Sequence, residues 1–241
     1  MDPVRFSAAL LEKIRRSSDT TSYRFSRPAS YAFEAGQYYT LTIPSPDGPL
    51  MHAFSHADSP TEEFTELTTR LTGSAFKNAL DALPLGAQVD FYGPLGRFVF
   101  RSEAPRIAFL TGGIGITPIR SMLRYLSDTA GAGRVDEQEL VLFYGCMTED
   151  GVIYGDELDE LVRKVPGLRM VLVITNPTES WQGYRGFITA DVVRAELPEP
   201  SEWTCYVVGP PPMIGAMQRV LGELGVPESQ WVVESFAGYA S

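Results

Sequence analysis

Two hydrophobic rhythms run along the chain, and the change between them falls near residue 102. Over residues 1–102 the apolar positions come in short runs: SYRFSRP, QYYTLTIP, HAFSHA, EFTELTTRL and QVDFYGP. These runs are rich in aromatic and β-branched residues and are broken by Pro, Gly and Asp, as strands are. Several alternate apolar with polar, the period-two pattern of half-buried antiparallel strands. One segment keeps a different spacing. In SAFKNALDALPLG, Ala75, Phe76, Ala79, Leu80 and Leu83 recur at helical intervals, Ser74 is placed to cap, and Pro84 with Gly86 closes the helix. The first half therefore predicts a small antiparallel β-barrel or sandwich carrying one helix.

Beyond residue 102 the apolar runs become continuous: RIAFL, ELVLFYG, LRMVLVI, WTCYVVG and QWVVESF. Between them lie PIRSMLRYLSD, YGDELDELVRKV, ITADVVRAEL and PPMIGAMQRVLGEL, all with helical spacing. Strands and helices in alternation predict an α/β domain with a five-stranded parallel sheet and helices on both faces. The expected organisation is two domains, 1–102 and 103–241, with the boundary near Phe100–Pro105.

An open parallel sheet binds ligands beyond the carboxyl ends of its strands. Three loops are expected there: TGGIGIT, YGCMTED and VGPPPMI. In the first, Gly112, Gly113 and Gly115 give a turn from which nothing projects, Thr117 is placed to cap a helix, and Pro118 suits its first position. Free N–H groups at such a helix start favour phosphate. The loop holding Gly209, Pro210, Pro211 and Met213 repeats the arrangement before the last helix. Neither has the GxGxxG spacing, which disfavours the standard dinucleotide fold.

Composition narrows the classes. The chain has 241 residues, 44% apolar and 21% charged, with a net charge of −10. An acidic chain of this kind repels a nucleic-acid backbone overall. Arg15, Arg16, Arg24, Arg27, Arg97 and Arg101 offer at most a local basic patch, with scattered solvated arginines as the plainer reading. No apolar run reaches the roughly 20 residues that span a bilayer, so no membrane partner is expected. The first residues do not read as a signal peptide, which makes the cytoplasm the expected compartment. Cys146 and Cys205 match no metal or cluster spacing, and His52 with His56 lacks a third ligand, so no metal is expected.

A strand segment and five motifs, in this order, resemble the ferredoxin–NADP reductase superfamily over almost the whole chain. EAGQYYTLTIP is similar to the strand before the family's first flavin motif. HAFS at 52–55 stands at its Arg-x-aromatic-Ser, and TTRLTGSAFKNAL at its second flavin segment. GGIGITP and VVGPPPM resemble its nicotinamide loops, and ESFAGY its C-terminal Glu-x-aromatic end. The resemblance implies an FAD-binding barrel, a domain for NADH or NADPH, and hydride transfer between the two cofactors.

Carried onto this chain, it puts Phe54 against the flavin ring and Ser55 near its N5, with His52 and Ala53 in the same motif. Thr69, Arg70 and Leu71 would meet the flavin through backbone groups, and Gly73, Ser74 and Ala75 would hold the diphosphate. Gly112, Gly113, Gly115, Thr117, Gly145, Gly209, Pro210, Pro211 and Met213 would serve the nicotinamide side. Glu234 and Phe236 would stand near the flavin ring; together with Phe54 and Ser55 they make up the expected catalytic set. Such chemistry needs two stacked rings shielded from water rather than a nucleophile and base.

The chain departs from the family in four places. His52 replaces the arginine, which predicts looser FAD binding that weakens as pH rises from about 6 to 8. Val208 stands where many relatives have cysteine before the last Gly-Pro, with Cys205 read as a core residue. The loop YGCMTEDG puts Met147 where a cation for a 2′-phosphate is expected and adds Glu149 and Asp150, which favours NADH, although Arg185 is a candidate to reach in. Finally, no four-cysteine set exists to carry an iron–sulfur cluster. The expected function is hydride transfer from NAD(P)H to FAD and single-electron transfer to a separate ferredoxin or oxygenase component. Alternatives are reduction of a small acceptor, free flavin or a ferric chelate, and a non-catalytic flavin-binding relay or regulatory subunit.

Overall fold

The computed structural model describes residues 2–46, 48–101, 103–130 and 138–236. They form two compact units. The first takes the chain up to Phe100 together with Thr117–Asp128; the second takes Arg101–Ile116 and the chain from Thr129 onward.

In the first unit six antiparallel strands, Val4–Arg15 (β1), Thr20–Ser26 (β2), Tyr38–Ile43 (β3), Leu50–Ser55 (β4), Phe64–Arg70 (β5) and Gln88–Leu95 (β6), pair in the order β4-β3-β6-β1-β2-β5. The expected antiparallel barrel is present as a curled sheet with β4 and β5 at its ends. β1 adds a strand that the periodicity did not reveal. Its register shifts between Leu10 and Glu12, so Leu10 is buried while Leu11 is 52% exposed and the alternation breaks at mid-strand. The N-terminal part of β1 pairs with β6 and its C-terminal part with β2, and a bulge between them bends the sheet. Inside the curl lie Leu10, Tyr23, Phe25, Tyr39, Leu41, Leu67 and Phe91. The helix Ala75–Ala82 (α1) starts where expected, with Ser74 Oγ accepting from the Lys77 N–H at 3.4 Å.

The same unit holds most of a second helix, Ile116–Thr129 (α2). It is buried on every side from Ile116 to Leu123.

The second unit contains Arg106–Gly112 (β7), Glu139–Cys146 (β8), Leu168–Ile174 (β9), Tyr184–Arg185 (β10), Thr204–Gly209 (β11) and Trp231–Ser235 (β12). All pair in parallel, in the order β10-β9-β8-β7-β11-β12. The five expected strands are there, and the count is corrected to six by β10. Two residues are too few to carry any periodicity. Gly155–Lys164 (α3), Ala190–Glu196 (α4) and Pro211–Glu223 (α5) supply helices, and the core gathers Leu110, Phe143, Val173, Trp203, Cys205 and Met217. The strand order reverses at β7, so the crevice for a ligand lies outside the carboxyl ends of β7 and β11.

One local expectation is corrected at that point. A single 3-10 turn, Gly113–Gly115, follows β7 directly, and α2 begins at Ile116 with Gly115 as its cap. Thr117 is therefore the second helical residue, 4% exposed, and not the cap. Pro118 is third, still within the turn whose N–H groups have no partner inside the helix.

Candidate functional site

In the second unit the two glycine loops meet. A Cβ on Gly115 would lie 2.7 Å from the Val208 carbonyl oxygen and 3.2 Å from Gly209 Cα. One on Gly112 would lie 3.0 Å from Met213 Sδ, and one on Gly209 2.9 Å from the same sulfur. Strand register aligns Thr111, Val208 and Glu234 in one row across β7, β11 and β12, and sets Gly112 beside Gly145. The Phe236 N–H donates to the Gly209 carbonyl at 3.0 Å, which anchors Phe236 at the same strand ends. Pro210 caps α5 and Pro211 opens it. Gly112, Gly113, Gly115, Gly145, Gly209, Met213, Glu234 and Phe236 are thus brought together. A row of residues without side chains, ending at two helix starts, is a cradle that fits a flat ring and a phosphate. The last residues of the ESFAGY motif lie outside the described residues.

Cys205, behind this cradle, belongs to the core, and burial pushes its thiol up to about 12. The loop after β8 is organised by an acid. Glu149 accepts from the Thr178 N–H at 2.8 Å and from its hydroxyl at 2.7 Å, and these bonds hold its carboxyl below the ordinary value. Arg185 donates to the carbonyls of Thr178, Glu179 and Trp181, at 3.3, 3.3 and 2.8 Å. Trp181 anchors the same loop through its ring N–H on the Tyr184 carbonyl, at 3.0 Å.

In the first unit β4 carries the motif from His52 to Ser55. The alternation of the strand turns His52 and Phe54 to one face, where their rings lie 5.0 Å apart and pack against Phe76 of α1 at 5.6 and 5.5 Å. Phe54 and Ser55 are buried and Ala53 is exposed. At the end of β5, Thr69 is buried, Arg70 and Leu71 are half-buried, and the Leu71 N–H donates to the Asp19 carbonyl at 2.7 Å. Thr72, Gly73, Ser74 and Ala75 form an exposed entry to α1, and Gly73 takes φ +78°, a conformation that favours glycine.

Around that entry stand Lys77, Arg70 and, on β4, His52. Burial lowers the Lys77 pKa and Arg70 lowers it further; burial lowers the His52 pKa and Lys77 adds to it. Arg70 also faces Asp19, at 3.9 Å. Basic groups that repel one another beside a helix start have the donor chemistry to hold a diphosphate.

Immediately after Ser55 the chain enters a buried polar cluster that the sequence did not signal. His56 stacks on Phe33, with ring centroids 3.6 Å apart and planes at 9°. Its Nδ1 pairs with Asp58 Oδ1 at 2.9 Å and its Nε2 with the Tyr31 hydroxyl at 3.0 Å. Asp58 also accepts from the Glu66 N–H at 2.8 Å and from Arg27 at 3.4 Å. Arg16 and Arg24 pair with buried Glu66. Three of the six arginines weighed as a local basic patch, Arg16, Arg24 and Arg27, are therefore engaged with internal acids. Among the described residues no cluster of three or more His, Cys, Asp or Glu is placed to hold a metal, and no helix is long and apolar enough to cross a membrane.

Comparison with known proteins matches residues 7–100 to the oxidoreductase FAD-binding domain and residues 109–219 to the oxidoreductase NAD-binding domain. The chain is 34% identical to ferredoxin–NADP reductase B of Sorangium cellulosum over 219 residues, 86% of each protein. It is 29% identical to NADH-cytochrome b5 reductase 1 of Ajellomyces capsulatus over 236 residues, 93% of this chain and 76% of the relative. Among solved structures, the ferredoxin reductase in carbazole 1,9a-dioxygenase matches with a TM-score of 0.82 at 26% identity, covering 98% of this chain and 70% of that one.

Proposed function

The chain belongs to the ferredoxin–NADP reductase superfamily, as an NAD(P)H-dependent flavoprotein reductase, and on that premise we propose that it prefers NADH and delivers electrons singly to a separate protein acceptor. Bound FAD would supply the chemistry, uptake of an electron pair as hydride and its release as single electrons. The work of the chain is to bind, orient and shield. His52, Ala53, Phe54 and Ser55 would line the flavin ring; Thr69, Arg70 and Leu71 would hold it by backbone groups; Gly73, Ser74 and Ala75 would take its diphosphate. Gly112, Gly113, Gly115, Thr117, Gly145 and Gly209 to Met213 would receive the nicotinamide nucleotide, with Glu234 and Phe236 beside the reacting ring.

The observation that carries this reading is the meeting of the two glycine loops at the strand ends, in a chain whose residues 7–100 match the oxidoreductase FAD-binding domain. The preference for NADH rests on Glu149, a fixed negative charge in the loop after β8, and on Arg185, whose guanidinium serves nearby carbonyls. A 2′-phosphate would meet repulsion there. A protein acceptor is favoured by the relatives, named for reductases of ferredoxin and of cytochrome b5. The chain has only two cysteines, so an iron–sulfur acceptor would lie outside these residues.

Anaerobic stopped-flow with the FAD-loaded protein tests the reading. Flavin bleaching near 450 nm is expected to be faster with NADH than with NADPH. Reoxidation by a ferredoxin or cytochrome b5 is expected to outrun reoxidation by free flavin or a ferric chelate. No bleaching with either nucleotide would defeat the proposal and leave a relay or regulatory subunit.

A further inference from the structure

Lys77 stands where a cation is disfavoured three times over. It is the third residue of α1, in the turn whose N–H groups carry the positive end of the helix dipole, where acids are normally found. It is only 4% exposed, so burial opposes its charge. Arg70, at the end of β5, repels it. Its ammonium nonetheless donates to Thr72 Oγ1 at 3.2 Å, which directs it to the exposed entry Thr72–Ala75 rather than away from it. An anion at that entry would offset these costs with a direct attraction to the ammonium.

His52 cannot meet the same need. It occupies the place of the family's arginine, but it is half-buried, packed edge-on to Phe54 and close to Phe76, and Lys77 itself opposes its protonation. A neutral imidazole gives a diphosphate one hydrogen bond and no charge.

We propose that Lys77, rather than His52, supplies the buried positive charge that holds the FAD diphosphate at the start of α1. This rests on the assignment of Gly73, Ser74 and Ala75 to the diphosphate. The charge lost at β4 is regained from the first turn of the helix that β4 packs against.

The test is the affinity of the apoprotein for FAD, by flavin fluorescence, as a function of salt, for wild type, Lys77→Met, Lys77→Arg and His52→Gln. Lys77→Met is expected to weaken FAD about tenfold or more, the worth of a charge-assisted hydrogen bond. It should also flatten the dependence of affinity on salt, which a packing defect would leave unchanged. Lys77→Arg should recover most of the loss, and His52→Gln should change affinity while leaving its dependence on salt as in wild type. An unchanged affinity in Lys77→Met, a loss with unaltered salt dependence, or a His52→Gln variant that loses the salt dependence would each overturn the proposal. Should Lys77→Met fail to fold, the His52→Gln result decides. A wild-type chain with no affinity for FAD would instead refute the diphosphate assignment on which the proposal stands.

Discussion

Arg120 and Glu62 form a two-pronged ion pair, at 2.5 and 2.9 Å, with the arginine side chain only 2% exposed. The same guanidinium donates to the Ala57 carbonyl at 2.8 Å, and the neighbouring Ser121 hydroxyl donates to the Asp58 carbonyl at 2.5 Å. The His56 N–H meets the Gln37 carbonyl and the Ala57 N–H the Glu66 carbonyl, both at 3.0 Å. The peptide that follows Ser55 is thus held from the sheet on one side and from α2 on the other. Breaking a buried pair strands its partner, which typically costs about 3 kcal/mol or more. Arg120→Met is therefore expected to lower stability by that order in urea unfolding followed by circular dichroism. Arg124 and Asp128, one turn apart on the same helix and partly exposed at 3.1 Å, make the contrast. Arg124→Met should cost less than about 1 kcal/mol.

Gly115 is fixed by close approach. A Cβ there would lie 2.6 Å from Thr111 Oγ1 and 2.7 Å from the Val208 carbonyl, the two atoms that share a 2.9 Å hydrogen bond. Gly115→Ala would wedge that bond apart, at a cost of about 1–3 kcal/mol for overpacking. It should also raise the KM for the nicotinamide nucleotide, because the loops would part. Gly222, inside α5, has open space around it. Gly222→Ala should stabilise the chain by up to about 1 kcal/mol and leave KM alone. Thermal unfolding and steady-state kinetics on the two variants check both signs.

The elements visible in the sequence are those whose side chains meet one uniform environment. β7, β8 and β11 are buried along almost their whole length and read as apolar runs. α1 shows itself by its cap and its stop. β1 escapes because its bulge shifts the alternation at Leu11, and β10 because two residues have no period. The glycine loops were legible because bare backbone is a sequence property. The burial of Arg120, the stacking of His56 on Phe33 and the pairing of Arg16 and Arg24 with Glu66 were not, since each depends on a partner far along the chain.

In the apoprotein the His52 pKa is set by burial and by Lys77. A phosphate beside it would hold the imidazole protonated, whereas burial and then Lys77 lower its pKa from 6.5. The unfolded chain therefore binds the proton at higher pH than the folded chain, and the stability of the apoprotein falls as pH drops below about 6.5. Urea midpoints between pH 5 and 8 should show this slope in wild type and lose part of it in His52→Gln. Affinity for FAD should stay flat from pH 7 to 8 and decline only in the alkaline range, as Lys77, lowered from 10.5 by burial and by Arg70, gives up its proton.

Glu149 and Arg185 set the expected choice between coenzymes by opposite means. Two bonds from Thr178 fix the carboxylate in place and keep it ionised throughout the neutral range. The guanidinium is turned back on the carbonyls of Thr178, Glu179 and Trp181. A 2′-phosphate would thus meet a fixed like charge, while Arg185 would have to leave three acceptors to reach it. Glu149→Gln removes the repulsion and keeps the acceptor for Thr178. It should raise kcat/KM for NADPH by roughly tenfold and change that for NADH by less than about twofold. Arg185→Ala should leave the NADH to NADPH ratio close to that of wild type, because its charge is already committed within its own loop. A ratio that instead collapses in Arg185→Ala, with Glu149→Gln silent, would mean that the arginine reads the ribose and the glutamate only shapes the loop.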